Sequence, residues 1–280
     1  MAHGRCLCGD IAFEVEGPLK DMTHCHCSMC RIAHGSVFAT YVGAPSAGFR
    51  WTKGEDRVAW YESSPGFMRT FCPNCGSVLP TGHPENGDTY FPAGLLEDGC
   101  DLKPAAHIFT KFKLPWVEID ESLMQFEQYP PGAGETVERD PPPARDTGTA
   151  GGECLCGAVA FEYDGEPAFM WNCHCSRCRL ARGAAHATNV FVATESFRWL
   201  RGEDNVVTYK LPEAERFGQA FCKTCGSKVP RVRDGAPYVV VPAGAVDGDP
   251  GARPTGHIYA DSKASWYDIP DSLPRHAEAP

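Results

Sequence analysis

Ile11, Phe13 and Val15 alternate with Ala12, Glu14 and Glu16 until Gly17-Pro18 ends the run. A period of two turns one side of a strand to a core and the other to water. Val159, Phe161 and Tyr163 repeat the pattern ahead of Asp164-Gly165. Further strands are predicted over residues 37–42, 49–52, 58–61, 89–92, 106–109 and 238–241, all rich in β-branched or aromatic residues. Helical periodicity is weak and predicts only short helices, over 28–33 and 176–182. No run reaches the ~18 apolar residues of a membrane-spanning helix. The first residues, Met1 to Cys6, hold no apolar stretch of the kind a secretory leader needs. The pattern predicts a mainly β fold of small antiparallel sheets.

The pattern also repeats. Cys6 and Cys154, Cys25 and Cys173, and Trp51 and Trp199 are each offset by 148 residues. Cys72 and Cys222, His107 and His257, and Trp116 and Trp266 are offset by 150. The second copy therefore carries two extra residues between Tyr209 and Cys222, in a segment that reads as a hairpin loop, where length is cheap to vary. Pro130 to Gly152 is rich in proline, glycine and charge and lacks apolar periodicity. These features predict domains over 1–130 and 150–280, joined by a linker over 131–149. Two similar small domains in one chain would pack as an internal pseudo-dimer.

A formal net charge of −10 disfavours binding to nucleic acid or to anionic membrane. The fifteen cysteines change the picture more. A disulfide framework needs an oxidising compartment, and nothing here suggests export, so a cytoplasmic protein with reduced thiols is expected. Close C-x-C and C-x-x-C pairs favour shared metal ions over cross-core bridges.

Each copy has three clusters. C-x-C-G places Cys6 and Cys8, or Cys154 and Cys156; F-C-x-x-C-G-S places Cys72 and Cys75, or Cys222 and Cys225. These two pairs make a closed four-thiolate site of the structural zinc type. Between them lies C-H-C-S-x-C-R, with Cys25, Cys27 and Cys30, or Cys173, Cys175 and Cys178. Three thiolates leave a tetrahedral ion one ligand short. Such a centre is a weak Lewis acid but a good holder of an incoming thiolate, so the predicted chemistry is at sulfur. Closure of the triplet by His26 and His174, or by a residue from elsewhere, is the alternative. In an extended C-x-C, though, the middle side chain points away from the ion.

The order of these motifs resembles the glutathione-dependent formaldehyde-activating enzyme family, which includes centromere protein V. The resemblance rests on Arg5-Cys6-Leu7-Cys8-Gly9, Cys25 to Arg31, Gly54-Glu55-Asp56, Phe71 to Ser77, Pro92-Ala93-Gly94, His107-Ile108 and Trp116. The second copy matches at Glu153 to Gly157, Cys173 to Arg179, Gly202-Glu203-Asp204, Phe221 to Ser227, Pro242-Ala243-Gly244, His257-Ile258 and Trp266. It implies tandem β-tent domains with one structural and one catalytic zinc each, up to two per domain. The implied activity is a carbon–sulfur lyase reaction in the synthetic direction, joining a glutathione-like thiol to formaldehyde or a related small aldehyde. The triplet cysteines would be the catalytic residues.

The copies differ around the triplet, where His24, His34 and Phe38 become Asn172, Arg182 and His186. Candidate helpers each have a plainer reading. His107 and His257 are proton shuttles or hydrogen-bonded structural residues. Arg31 and Arg179 are carboxylate clamps or loop braces. Trp116 and Trp266 line a substrate pocket or the core. Gly35 and Gly183 admit close backbone approach near the metal loop. Glu55-Asp56 and Glu203-Asp204 read as turn residues, and Cys100 as a free thiol. Rival functions are a non-enzymatic zinc module that binds a protein partner and a thiol redox sensor.

Overall fold

The computed structural model of the chain describes residues 1–81, 87–97, 100–134, 137, 146 and 148–279. Most of the expected linker therefore lies outside the described residues. Thr149, assigned to the linker from sequence, begins the strand Thr149–Glu153.

Each copy is built from three small sheets. In the first, Ala12–Val15 sits between Ala2–Arg5 and Phe49–Lys53, all antiparallel. Its inward face stacks Phe13 on Phe49 at 5.5 Å and edges it against Phe91 at 5.4 Å. The largest sheet runs in the order Met124–Gln125, Ala106–Ile108, Lys20–Cys25, Ala39–Pro45, Asp88–Pro92. A hairpin of Ala59–Ser64 and Phe67–Phe71 with the short strand Val78–Leu79 completes the copy. The second copy repeats this plan. The pairings are mostly antiparallel, but Ala106–Ile108 runs parallel to Lys20–Cys25, and His257–Ile258 parallel to Phe169–Cys173. A long excursion returns the chain beside its own earlier strand, a pairing that strand-by-strand alternation does not encode.

Two helices, α1 (Ser28–His34) and α2 (Ser176–Arg182), link the central strands of the large sheets. Each is capped by sulfur: the Cys27 thiol accepts from the Cys30 amide, and Cys175 from Cys178. Each ends on a left-handed glycine, Gly35 or Gly183. These glycines do admit a close approach, but to the opposite copy rather than to the metal loop. A Cβ on Gly35 would lie 2.5 Å from Lys228 Cβ, and one on Gly183 would lie 2.8 Å from Pro92 Cβ.

The two copies touch reciprocally. α1 packs on the turn Ala243–Ala245, and α2 on the turn Ala93–Leu95. Phe71 and Phe221 meet at 6.2 Å, each ring seated where the Cβ of the other copy's Gly226 or Gly76 would be. Lys228 is buried between the copies and donates to the carbonyls of Gly76 and Gly226. Gln219 donates to the carbonyl of Cys75, and Lys103 pairs with Asp268 at 2.8 Å.

Candidate metal centres

The structure brings fourteen cysteines into four groups. Cys6, Cys8, Cys72 and Cys75 converge, as do Cys154, Cys156, Cys222 and Cys225, with the sulfurs of each group within 4.8 Å of one another. A tetrahedral zinc with bonds of about 2.3 Å sets its sulfurs about 3.8 Å apart. The observed separations are Cys6 to Cys8 3.4 Å, Cys8 to Cys72 3.7 Å, Cys154 to Cys156 3.4 Å and Cys156 to Cys222 3.6 Å. The donor sets fit such an ion.

Local folding places these thiols. Each C-x-C pair closes a turn whose following strand sends an amide back to sulfur: Ile11 N–H to Cys6 at 3.4 Å, Val159 N–H to Cys154 at 3.3 Å. The serine of each C-G-S joins the two pairs. Ser77 Oγ accepts from the Leu7 amide at 2.9 Å and lies 3.3 Å from Cys75 Sγ. Ser227 does the same for Leu155 and Cys225. Hydrogen bonds from Cys6 and Cys72 push the Cys75 thiol far down, and bonds from Cys154 and Cys156 do so for Cys225. Thiolate is the form that binds metal.

The triplets Cys25, Cys27, Cys30 and Cys173, Cys175, Cys178 also converge, with 3.6 Å between Cys173 and Cys175. Among the described residues, no fourth cysteine, histidine or carboxylate joins either set. His26 and His174, the middle residues, are turned away. His26 Nε2 lies 2.9 Å from His107 Nδ1, and His174 Nε2 lies 2.7 Å from His257 Nδ1. His257 is held in turn by Asp271 at 2.9 Å. Burial pushes His26 and His174 down to about 3 and His107 to about 4, keeping those three rings neutral. His107 and His257 thus support the middle histidines instead of facing the thiols.

The other candidates separate. Arg31 donates to the His26 carbonyl at 3.4 Å, bracing the loop. Trp266 is buried in the core, whereas Trp116 is half-buried under Arg253. Glu55-Asp56 and Glu203-Asp204 lie on exposed short turns. Cys100 is buried beside the second copy, its carbonyl accepting from Ser265 Oγ at 3.2 Å, outside every cluster.

Sequence reasoning missed several neighbours of the triplets. The buried Arg69 guanidinium lies 3.6 Å from Cys30 Sγ, and the Tyr41 hydroxyl lies 3.9 Å from it. Phe109, Phe112, Phe126 and Tyr129 pack around the same triplet. The equivalents of Arg69 and Tyr41 in the second copy are Gln219 and Asn189. Phe109 and Tyr259 follow the two H-I motifs in left-handed conformation, at φ 59° and 55°. Bulky residues held there cost about 1–3 kcal/mol and cluster at functional sites. No local pattern announces such a strain.

The family described as glutathione-dependent formaldehyde-activating enzyme matches the chain over residues 1–112 and 149–262. An uncharacterized lyase of Schizosaccharomyces pombe is 31% identical over 101 residues, covering 35% of this chain and 70% of that protein. A Rhodobacter sphaeroides protein of known crystal structure is 25% identical, with a TM-score of 0.30 over 35% of this chain and 91% of its own.

Proposed function

Because the chain belongs to the glutathione-dependent formaldehyde-activating enzyme family, we propose that it joins a glutathione-like thiol to formaldehyde or a related small aldehyde. The observation that carries this reading is the triplet: three convergent thiols with the intervening histidine turned away. Cys25, Cys27 and Cys30, with Cys173, Cys175 and Cys178, are the residues that would hold a catalytic zinc. Bound there, zinc supplies a place where a visiting thiol is kept as a thiolate at neutral pH. The four-thiol groups would hold a second, structural zinc in each copy.

The chain's own residues do the rest. Amides of Cys30 and Cys178 donate to Cys27 and Cys175, fixing the thiolates at the head of a helix. The His26–His107 and His174–His257 pairs hold the C-H-C segment in the extended form that aims both flanking sulfurs to one side. Overall, the substrate sulfur bonds to the aldehyde carbon, the carbonyl π pair moves to oxygen, and the thiol proton ends on that oxygen. The product is an S-hydroxymethyl thiol, with no oxidant or reductant needed.

The test is exchange NMR with ¹³C-formaldehyde and glutathione at equilibrium. Metal-loaded protein should speed interconversion of free and adduct carbon well above the spontaneous rate. The double variant Cys27→Ser/Cys175→Ser should return it to background while the melting temperature stays within a few degrees. Absence of any acceleration by the fully loaded protein would sink the reading.

A further inference from the structure

The two triplets have neighbourhoods of opposite character. Around the first, Arg69 and Tyr41 lie against Cys30. Tyr41 is locked in turn by His34 Nε2 at 2.8 Å. Around the second, each of these positions is changed: Gln219 for Arg69, Asn189 for Tyr41 and Arg182 for His34. Gln219 turns toward the other copy and donates to the carbonyl of Cys75. The space is a pocket of about 130 Å³, with Cys178 in its wall. Arg182, Arg216 and Arg231 line it beside Phe217. The buried Arg182 donates through Nη2 to Asn189 Oδ1 at 3.3 Å, and its Nη1 has no partner. Among the described residues, neither Arg182 nor Arg231 is paired with a carboxylate. The loop that rims the pocket, residues 211–217, is the one that is two residues longer than its equivalent in the first copy.

Resting on the function proposed above, we propose that the copies have divided their labour. The second triplet takes the thiol substrate, and Arg182 with Arg231 hold an anionic group of that substrate. At the first triplet Arg69 already offsets the charge of the centre, and no acidic thiol is taken there. Charge decides the matter. A zinc with three thiolates carries about −1, so a buried guanidinium beside it satisfies the centre, and a second anion there gains nothing. In the second copy two guanidiniums, Arg182 and Arg231, share a cavity with Cys178, so one of them offsets the same centre and the other is left over for an anion of the substrate. A carboxylate meets guanidinium planes through paired N–H donors, which favours an acidic thiol over a neutral one.

Calorimetric titration of the metal-loaded full chain with glutathione, and separately with 2-mercaptoethanol, tests this. One equivalent of glutathione per chain is expected, lost in Cys175→Ser. Arg231→Met should weaken glutathione tenfold or more and leave 2-mercaptoethanol unchanged. Arg182→His, which installs the first copy's residue, should act in the same direction. Two equivalents per chain, full binding by Cys175→Ser, or equal weakening of both thiols by Arg231→Met would each overturn the division of labour while leaving the thiol-binding function standing. Failure of the wild-type chain to bind either thiol would overturn both.

Discussion

His34 donates through Nδ1–H to the Arg182 carbonyl at 2.7 Å and accepts from the Tyr41 hydroxyl at Nε2. The second bond needs the neutral ring, and burial pushes its pKa down to about 4. His107 is likewise pushed down to about 4. A histidine with a lowered folded pKa contributes stability that is complete above the unfolded value of about 6.5 and is lost as pH falls toward the folded value. Each ring should therefore add up to about 1.4 kcal/mol of lost stability per pH unit between about 6.5 and 4. Urea denaturation of the metal-loaded protein across that range should show the slope, and His34→Gln should reduce it. A flat profile would contradict neutral burial. At the same scale, Lys228 spends its ammonium on the Gly76 and Gly226 carbonyls. Lys228→Met keeps the stem but leaves two buried carbonyls unpaired, and should cost about 1–3 kcal/mol in the same assay.

The four-thiol groups join elements that have few other reasons to meet. Cys6 and Cys8 follow the strand Ala2–Arg5, while Cys72 and Cys75 follow Phe67–Phe71. Sheets of two or three short strands are marginal alone, so an ion shared by the four thiols would carry much of the local stability. Cys72→Ser should unfold its copy or lower its melting temperature by well over ten degrees, whereas Cys175→Ser should not. Differential scanning calorimetry with metal analysis separates the two outcomes. Chelation should act as Cys72→Ser does, on both copies together. The helices and most strands were legible in the sequence because period two and the short C-x-x-C turn are local signals. The parallel return of Ala106–Ile108 was not, because pairing across that separation depends on the whole sheet.

At the scale of the molecule, each copy covers the other's C-G-S turn. Phe221 covers Gly76 and Phe71 covers Gly226. Tyr61 packs with Cys154 and Cys222. Fragments 1–130 and 150–280 expressed apart would expose these aromatic faces. Each should self-associate through the vacated surface, and mixing should restore a 1:1 complex, as read by sedimentation and native mass spectrometry. Stable monomers of either fragment would show that the contact is incidental. The further difference between the copies, an arginine against sulfur in one and an arginine-lined pocket beside sulfur in the other, also belongs to this scale.

By itself the sequence determined the thiol clusters, the repeat and the family, because cysteine spacing within a turn fixes which donors can share an ion. Only the tertiary structure decided that His107 and His257 are the partners of the middle histidines, that Arg69 rests on Cys30, and that Arg182 and Arg231 line a common cavity with Cys178. Those contacts join residues far apart along the chain. Whether a charged side chain meets a thiolate or an empty space depends on how strands, loops and the two copies pack, and no local pattern of residue types records that.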